Sequence, residues 1–251
     1  IGPETWGQYR ARIDDKLILD PYWDGLLIDR TDMNESWLIG QSSARSIDPD
    51  ESNKLLTDYS EFDRSWNAGL RGYEQLLRNL IGPDKLLMVN WGMPNYDLLN
   101  GSNYEGFPPD ITNPDYWPKH VYSKDYPSGS YFEWLSKALN PNVSMIQTYQ
   151  DNGVPVPISD GIYDNPCTKP DFVPNYRKFR FGLTTALLGD GFFAYEMNTD
   201  GHGSLCLMWF DEYDNVGQGQ GYLGMPLGPA QKVMTVPDGV NEVRSGQFET
   251  M

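Results

Sequence analysis

The sequence predicts an α/β protein built as a (β/α)8 TIM barrel, of which this chain contains the C-terminal half, about strands 4–8. Three observations lead there: short apolar runs of strand length, amphipathic helical patterns between several of them, and acidic or amide side chains where the runs end. Strand, helix and strand in repeated order is the pattern of a parallel sheet covered by helices.

Five runs have strand length and a β-branched or aromatic content: WDGLLID (23–29), KLLMVNW (85–91), SNYEGF (102–107), SMIQTYQ (144–150) and GFFAYE (191–196). All except the third are continuous rather than alternating, as expected for parallel strands that are covered on both faces. The third run is assigned mainly from its position. We therefore predict five parallel strands.

Four segments carry helical patterns: residues 3–19, 66–80, 131–139 and 172–187. Apolar residues in them recur close to every 3.6 positions, which is the period of a helix with one buried face. Gly82-Pro83 and Asn140-Pro141 predict two of the helix ends, and Gly189 is placed as a C-terminal cap after the last helix.

A closed barrel of this type needs eight β/α units in about 250 residues, and only five units are recognisable. We therefore interpret residues 1–215 as a partial barrel that forms the catalytic domain. Residues 216–251 are rich in Gly and Pro, and we interpret them as an extension that leads towards a C-terminal β domain. The alternative is an open α/β sheet that is complete in itself.

The composition excludes some classes of partner. A formal net charge of −16 argues against nucleic acid, because its phosphates are repelled. No apolar run reaches the ~18 residues of a membrane span. Aromatic residues make up 14% of the chain, and their amphipathic rings suit sugars. Among these rings, Trp23, Trp66 and Trp134 are expected in the core.

Known cofactor and metal motifs are missing from the sequence. GQGYLG (219–224) matches G-x-G-x-x-G but is followed by Met225-Pro226 instead of a helix. Only two histidines occur, so a histidine-rich metal centre cannot be assembled. We expect no cofactor, although the loop acids are compatible with a bound calcium ion. Cys167 and Cys206 allow at most one disulfide.

Acidic and amide residues fall at the predicted strand ends, where parallel β/α folds place their active sites. Glu105 lies in the third run, and the others are Asp29, Asn90, Asp151, Asn152, Glu196 and Asn198. Surface acids scattered at random would not select this edge. A later cluster, Asp211, Glu212 and Asp214, is interpreted as loop acids that hold a cation or an arginine.

Asp29 and Glu105 are the candidate catalytic pair. Cleavage of a glycosidic bond needs two carboxyl groups that flank it, one as proton donor and one as nucleophile or base. A proton donor is commonly surrounded by apolar rings, and Glu105 lies beside Tyr104 and near Phe107. Asp29, which ends an apolar run, is the candidate nucleophile or base. The alternatives are a structural acid at Asp29 and an exposed loop acid at Glu105.

Further residues near this edge are candidates for binding the substrate. Aromatic rings stack on the faces of pyranose sugars, and polar side chains hydrogen-bond their hydroxyl groups. The predicted stacking residues are Trp91, Tyr96 and Tyr104, and the predicted polar contacts are Asn90, Asp151, Glu196 and His202. Asp151 and Glu196 are equally compatible with orienting the catalytic pair, and His202 with a solvated loop position.

If the five runs are strands 4–8, Asp29 ends strand 4 and Glu105 strand 6. That arrangement resembles the barrel glycosidases that hydrolyse α-glycosides with acids on those two strands. The hypothetical glycosyl hydrolase families with a TIM-barrel catalytic domain are also resembled in four places: WDGLLID, LLNGSNYEGF, RFGLTTALLGDGFFAYE, and WFDEYD with the later GYLGMPLGPA. The resemblance implies a secreted or cell-surface carbohydrate-active enzyme.

The sequence thus predicts a glycoside hydrolase that acts on an oligo- or polysaccharide. A second hypothesis is a non-catalytic carbohydrate-binding or cell-surface structural protein on the same scaffold. A third is a structural piece whose acids only keep it in solution. Retention or inversion at the anomeric carbon depends on the distance between the carboxyl groups, and the sequence leaves that open.

Overall fold

A computed structural model describes residues 4–29, 31–40, 52–54, 58–108, 113, 115–150, 157–159, 162–163, 172–196, 209–214, 217 and 228. Its elements are α1 (Trp6–Ile18), β1 (Gly25–Ile28), α2 (Trp37–Gly40), α3 (Tyr59–Ile81), β2 (Leu86–Asn90), β3 (Gly101–Tyr104), α4 (Tyr116–Val121), α5 (Tyr131–Lys137), β4 (Met145–Tyr149), β5 (Pro157–Ser159), β6 (Ile162–Tyr163), α6 (Tyr176–Leu187), β7 (Phe192–Glu196) and α7 (Asp211–Asp214). Of these helices, none has both the length and the apolar character that a membrane crossing requires.

The main sheet has five strands in the order β1-β2-β3-β4-β7, and every neighbouring pair is parallel. β5 and β6 form a separate antiparallel pair. The prediction of an α/β fold with five parallel strands is confirmed. The third strand ends earlier than expected, so that Glu105 follows β3 instead of lying within it. Gly106, with a φ of +66°, makes the turn that ends the strand there.

The predicted helices are present, with shifted ends. α3 begins at Tyr59, before the predicted start, because the Asp58 side chain accepts the Glu61 N–H at 2.9 Å and caps the helix. α6 begins after Asn175, which caps it in the same way. Gly189 was expected to cap the C-terminal end of α6; the cap is Leu188, Gly189 follows it directly, and the next residue, Asp190, has a left-handed φ of +59°.

Alternate residues of the central strands face two different environments. In β2, Leu87 and Val89 are fully buried and belong to the same core cluster as Leu77 of α3. In β4, Thr148 is buried, and Gly182 of α6 packs so closely on it that a larger side chain would collide with its hydroxyl. The positions between them are half-buried. Burying one such leucine stabilises the fold by about 2 kcal/mol.

The tryptophans divide between core and surface. Trp134 is fully buried, as predicted, and its indole N–H donates to the Ser128 carbonyl at 2.8 Å. The expectation for Trp23 is wrong, because its side chain is 60% exposed just before β1, an edge strand of the sheet. Trp66 is also partly exposed, and its N–H holds the loop after β1 through the Asp32 carbonyl.

Contacts divide the chain into two compact units, residues 1–209 and 210–251. The parallel sheet lies entirely in the first unit. In the second unit the structure describes α7, with Asp211, Glu212 and Asp214, and little else. Most of the predicted extension at 216–251 lies outside the described residues.

Candidate active site

The carboxyl ends of the parallel strands bring four of the predicted residues to one edge of the sheet. Asp29 follows β1, Asn90 ends β2, Glu105 follows β3 and Glu196 ends β7. The strand register explains this, because Asn90 is level with Asn103, and Tyr149 is level with Glu196. Residues far apart in the chain therefore meet at the position where this fold class places its active sites.

Asn90 joins the two predicted catalytic acids. Its side-chain nitrogen donates to Asp29 Oδ1 at 3.0 Å and also to Glu105 Oε2. Two oxygens that share one nitrogen lie no more than about 6 Å apart, which is two hydrogen-bond lengths. Asp29 is exposed and Glu105 is half-buried. The two carboxyl groups thus lie within reach of one side chain, and solvent reaches Asp29.

Glu105 is held by three neighbours. The Tyr149 hydroxyl donates to Oε1, Asn90 donates to Oε2, and the Trp91 indole N–H donates to the Glu105 backbone carbonyl at 2.9 Å. With the bonds arranged in this way both carboxyl oxygens accept, as those of a carboxylate do. The side chain and the backbone of Glu105 are both fixed, so its carboxyl group is oriented before any ligand arrives.

A row of side-chain amides extends from Asn90 to the third carboxyl group. The Asn103 nitrogen donates to Asn90 Oδ1 at 3.3 Å and to Gln147 Oε1, and the Gln147 nitrogen donates to Glu196 Oε1. The carboxylates accept, so the amide nitrogens of Asn90 and Gln147 point towards them and their oxygens point towards Asn103. Asn103 must then present its NH2 group to both. We call Asn90, Asn103 and Gln147 the amide row.

The acids influence one another electrostatically. Burial raises the pKa of Glu196, and the nearby charge of Glu105 raises it further, while the hydrogen bond from Gln147 acts in the opposite direction. Burial also raises the pKa of Tyr149, with additional contributions from Glu105, Glu196 and Asp29. All three carboxyl groups therefore lie close enough to Tyr149 for their charges to act on it, and its hydroxyl stays protonated at neutral pH.

Within the described part of the chain, no ion pair neutralises Asp29, Glu105 or Glu196. No group of three or more His, Cys, Asp or Glu side chains among the same residues is arranged to hold a metal ion. The described polar partners of these carboxyl groups are amides and a phenol hydroxyl. Such an edge is suited to proton transfer and to hydrogen bonds with a polar ligand.

Trp91, a predicted stacking residue, lies at the site with its ring packed on other rings. Its φ of +50° is rare for a residue other than glycine and turns the chain sharply after β2. Its ring makes edge contacts with Tyr104, His120 and Tyr126 at centroid distances of 4.6, 5.6 and 6.4 Å. Trp91 is partly buried, and its described hydrogen bond supports the Glu105 loop.

The other two predicted stacking residues are placed differently. Tyr104 is 1% exposed, and its hydroxyl donates to the Gly129 carbonyl at 2.8 Å. A ring that is so fully buried cannot contact a sugar, so the prediction for Tyr104 is wrong. Tyr96 packs edge-on against Trp134 at 4.8 Å and lies below the Lys137 ammonium group. Its described contacts tie it to α5, and none of them joins it to the carboxyl groups.

Asp151 and His202, both predicted to bind substrate, lie outside the described residues, as do Cys167 and Cys206. Three residues of the site were missed in the sequence: Asn103, Gln147 and Tyr149. A signal for the last two was present, because SMIQTYQ carries a polar and a phenolic side chain two positions apart. Residues spaced by two share one face of a strand.

A groove with a volume of about 470 Å³ lies next to Trp91. One wall comes from the loop after β1 and the start of α2, and the other from the end of α4 and the loop before α5. Its lining includes Asp32, Met33, Trp37, Lys119, Tyr126 and Ser128. Tyr126 lines the groove and also contacts the Trp91 ring, so the groove shares an aromatic neighbour with the Glu105 loop.

No protein-family model and no curated protein sequence matches this chain.

Proposed function

We propose that this chain is the catalytic part of a glycoside hydrolase, with Asp29 as nucleophile or base and Glu105 as acid/base. The observation that carries the proposal is the Asn90 side chain, which hydrogen-bonds both carboxyl groups. Cleavage of a glycosidic bond needs two carboxyl groups at such short range. The proposed substrate is an oligo- or polysaccharide, and the proposed site of action is extracellular or at the cell surface.

The proposed scaffold is a (β/α)8 barrel, here represented by about strands 4–8. Its support is the strand order, in which consecutive parallel strands are neighbours. A doubly wound open sheet reverses its order at one point, and its ligands bind there. The half-buried face of β2 and β4, which carries Asn90, Gln147 and Tyr149, then corresponds to the interior of the barrel.

In the proposed reaction, Glu105 gives its proton to the oxygen that leaves the anomeric carbon. Asp29 attacks that carbon and forms a covalent intermediate, or it activates a water molecule that attacks. In the covalent route Glu105 then takes a proton from water as the water displaces Asp29. A phenol hydroxyl can donate or accept, so Tyr149 can keep its hydrogen bond to Glu105 in both protonation states. An acid/base residue needs that property.

The non-catalytic alternative is a carbohydrate-binding or cell-surface structural protein on the same scaffold. It predicts carboxyl groups that lie far apart or face away from a common space. Asp29 and Glu105 instead accept from the same nitrogen atom, which favours the enzyme.

The test is the release of reducing ends from a panel of oligo- and polysaccharides by the full chain. We expect turnover on at least one glycan, and a loss of about 100-fold or more in Glu105→Gln, since general acid catalysis contributes that much. Glu61→Gln, which changes an exposed acid on α3, is the matched control. Glycan binding without any hydrolysis would favour the non-catalytic alternative, and equal turnover in Glu105→Gln would overturn the assignment.

A further inference from the structure

We propose that the groove beside Trp91 is a second sugar-binding subsite, so that the substrate is a glycan chain and not a single terminal sugar. The inference rests on the proposed glycosidase function and deepens it. Its occupant is a further pyranose unit of the same chain, beyond the two units whose shared bond lies between Asp29 and Glu105.

The groove has the size and composition of a sugar site. Its volume of about 470 Å³ lies within the range of ~300–1,000 Å³ that small-molecule sites occupy. Trp37 is 45% exposed at one wall, and Tyr126 contributes a second ring from the other. A pyranose has an apolar face that packs on such rings. Asp32 supplies an acceptor and Lys119 a donor for the hydroxyl groups.

The loop that forms one wall is held in place before any ligand binds. The Trp66 N–H donates to the Asp32 carbonyl at 3.0 Å. Asp63 of α3 accepts from the Ser36 N–H at 2.9 Å and from its hydroxyl at 2.7 Å. The Thr31 hydroxyl donates to the Asn90 carbonyl at 3.4 Å, which connects the same loop to β2. A wall fixed in this way loses little conformational entropy when a ligand binds.

Trp91 joins the groove to the carboxyl groups. Its ring lies 6.4 Å from that of Tyr126, and its N–H holds the backbone of Glu105. The groove and the Glu105 loop therefore share one aromatic neighbour, Trp91. A glycan that continues past its cleaved bond can reach both positions, whereas a disaccharide held between Asp29 and Glu105 has no further unit for the groove.

The groove wall formed by α4 and the loop before α5 carries a positive charge, which suits a sugar as the bound ligand. The Lys119 ammonium lies 5.7 Å from the centre of the Tyr126 ring, and Tyr126 also lies near the Asp32 carboxyl, whose charge adds to the effect of burial in raising the Tyr126 pKa. The groove thus presents one cation and one anion across a short span. A neutral sugar with several hydroxyl groups satisfies both, since each hydroxyl donates and accepts.

The test measures binding by the Glu105→Gln protein, in which hydrolysis is expected to be slower by about 100-fold or more. Isothermal titration calorimetry compares disaccharides with hexasaccharides of the malto, xylo, manno and chito series. We expect one hexasaccharide to bind roughly tenfold more tightly than its disaccharide, a gain of about 1.4 kcal/mol. Trp37→Ala should remove that gain and leave disaccharide binding unchanged. Trp6→Ala, which removes an exposed tryptophan on α1, should leave the gain intact.

Lys119→Met provides a second variant if Trp37→Ala fails to fold, as judged by circular dichroism, and it should also reduce the gain. A hexasaccharide advantage that survives in both variants would overturn the subsite. So would hydrolysis by the wild-type chain with no dependence on glycan length, and the proposed function would then still stand. A wild-type chain that neither binds nor cleaves any of these glycans overturns the proposed function itself.

Discussion

The side-chain nitrogen of Asn90 donates to Asp29 Oδ1 at 3.0 Å and also donates to Glu105 Oε2. Asp29 and Glu105 are far apart in the sequence, and β2 lies between the strands that carry them. One amide therefore sets the distance between two carboxyl groups from different strands. Most of the chemistry proposed for this protein follows from that bridge.

The short distance between Asp29 and Glu105 predicts the configuration of the product at the anomeric carbon. The two carboxyl oxygens that share the Asn90 nitrogen lie no more than about 6 Å apart, which is below the ~6.5–9.5 Å of inverting enzymes and leaves room for the ~5–5.5 Å of retaining ones. We expect the first product to keep the configuration of the substrate. Proton NMR of the anomeric signals, recorded within minutes of mixing, measures it. An initial product of inverted configuration would mean that a water molecule fits between the two acids.

Tyr149 is predicted to support catalysis through its hydroxyl group. Tyr149→Phe removes the hydrogen bond to Glu105 and leaves the ring in place. A hydrogen bond to a charged group contributes about 1.5–3 kcal/mol, so kcat should fall roughly 10- to 100-fold. Tyr176→Phe, on the exposed side of α6, is the control. An unchanged kcat in Tyr149→Phe would exclude this role.

Asn103 is predicted to position the acids through the amide row. In Asn103→Asp, carboxylate oxygens replace the NH2 group that faces the Asn90 and Gln147 oxygens. Those amides should rotate away and release Glu196 and the catalytic pair. Second-layer changes of this kind cost about 10- to 100-fold in activity, here in kcat with little effect on KM. The side-chain NH2 signals of Asn90 and Gln147 in NMR should shift.

The control for Asn103→Asp is Asn100→Asp, at the other end of β3, where the side chain accepts from Arg78 and from the Leu87 N–H. That change should alter stability and leave kcat per folded molecule intact. If both variants lower kcat equally, the effect of Asn103 is structural and not specific to the amide row.

Glu74 is predicted to make stability depend on pH. Burial raises the pKa of Glu74 to about 7, although the Asn95 hydrogen bond and Arg71 act against it. The unfolded chain has a pKa near 4.3 for this group, so the folded state binds the proton more tightly. The contribution of protonated Glu74 to the free energy of unfolding is fully present below about pH 4 and is lost as the pH rises through 7, by roughly 4 kcal/mol in total.

Glu74→Gln should remove that loss. Between pH 5 and pH 8, the free energy of unfolding in urea should fall less in Glu74→Gln than in the wild type. Glu61→Gln changes an exposed acid on the same helix and should keep the wild-type pH dependence. The same decline in Glu74→Gln as in the wild type would show that other groups cause it.

The parallel strands could be predicted because each of them is a short apolar run. The shared location of the acids could be predicted because the end of each run marks the end of a strand. The prediction that Tyr104 contacts a sugar was wrong, since alternation along a four-residue strand does not reveal which face a helix will cover. The amide row could not be predicted for a related reason. Asn103 and Gln147 meet only through the register of β3 with β4, which pairs Asn103 with Met145, and register depends on the whole sheet.

The most direct test of the central claim is the turnover of Asp29→Asn on a glycan that the wild-type chain cleaves. The substitution keeps the size of the side chain, so folding and glycan binding should persist. The proposed mechanism predicts a loss of at least about 100-fold in kcat, with Asp24→Asn, just before β1, unaffected. Wild-type turnover in Asp29→Asn would contradict the proposal that Asp29 and Glu105 act together on one glycosidic bond.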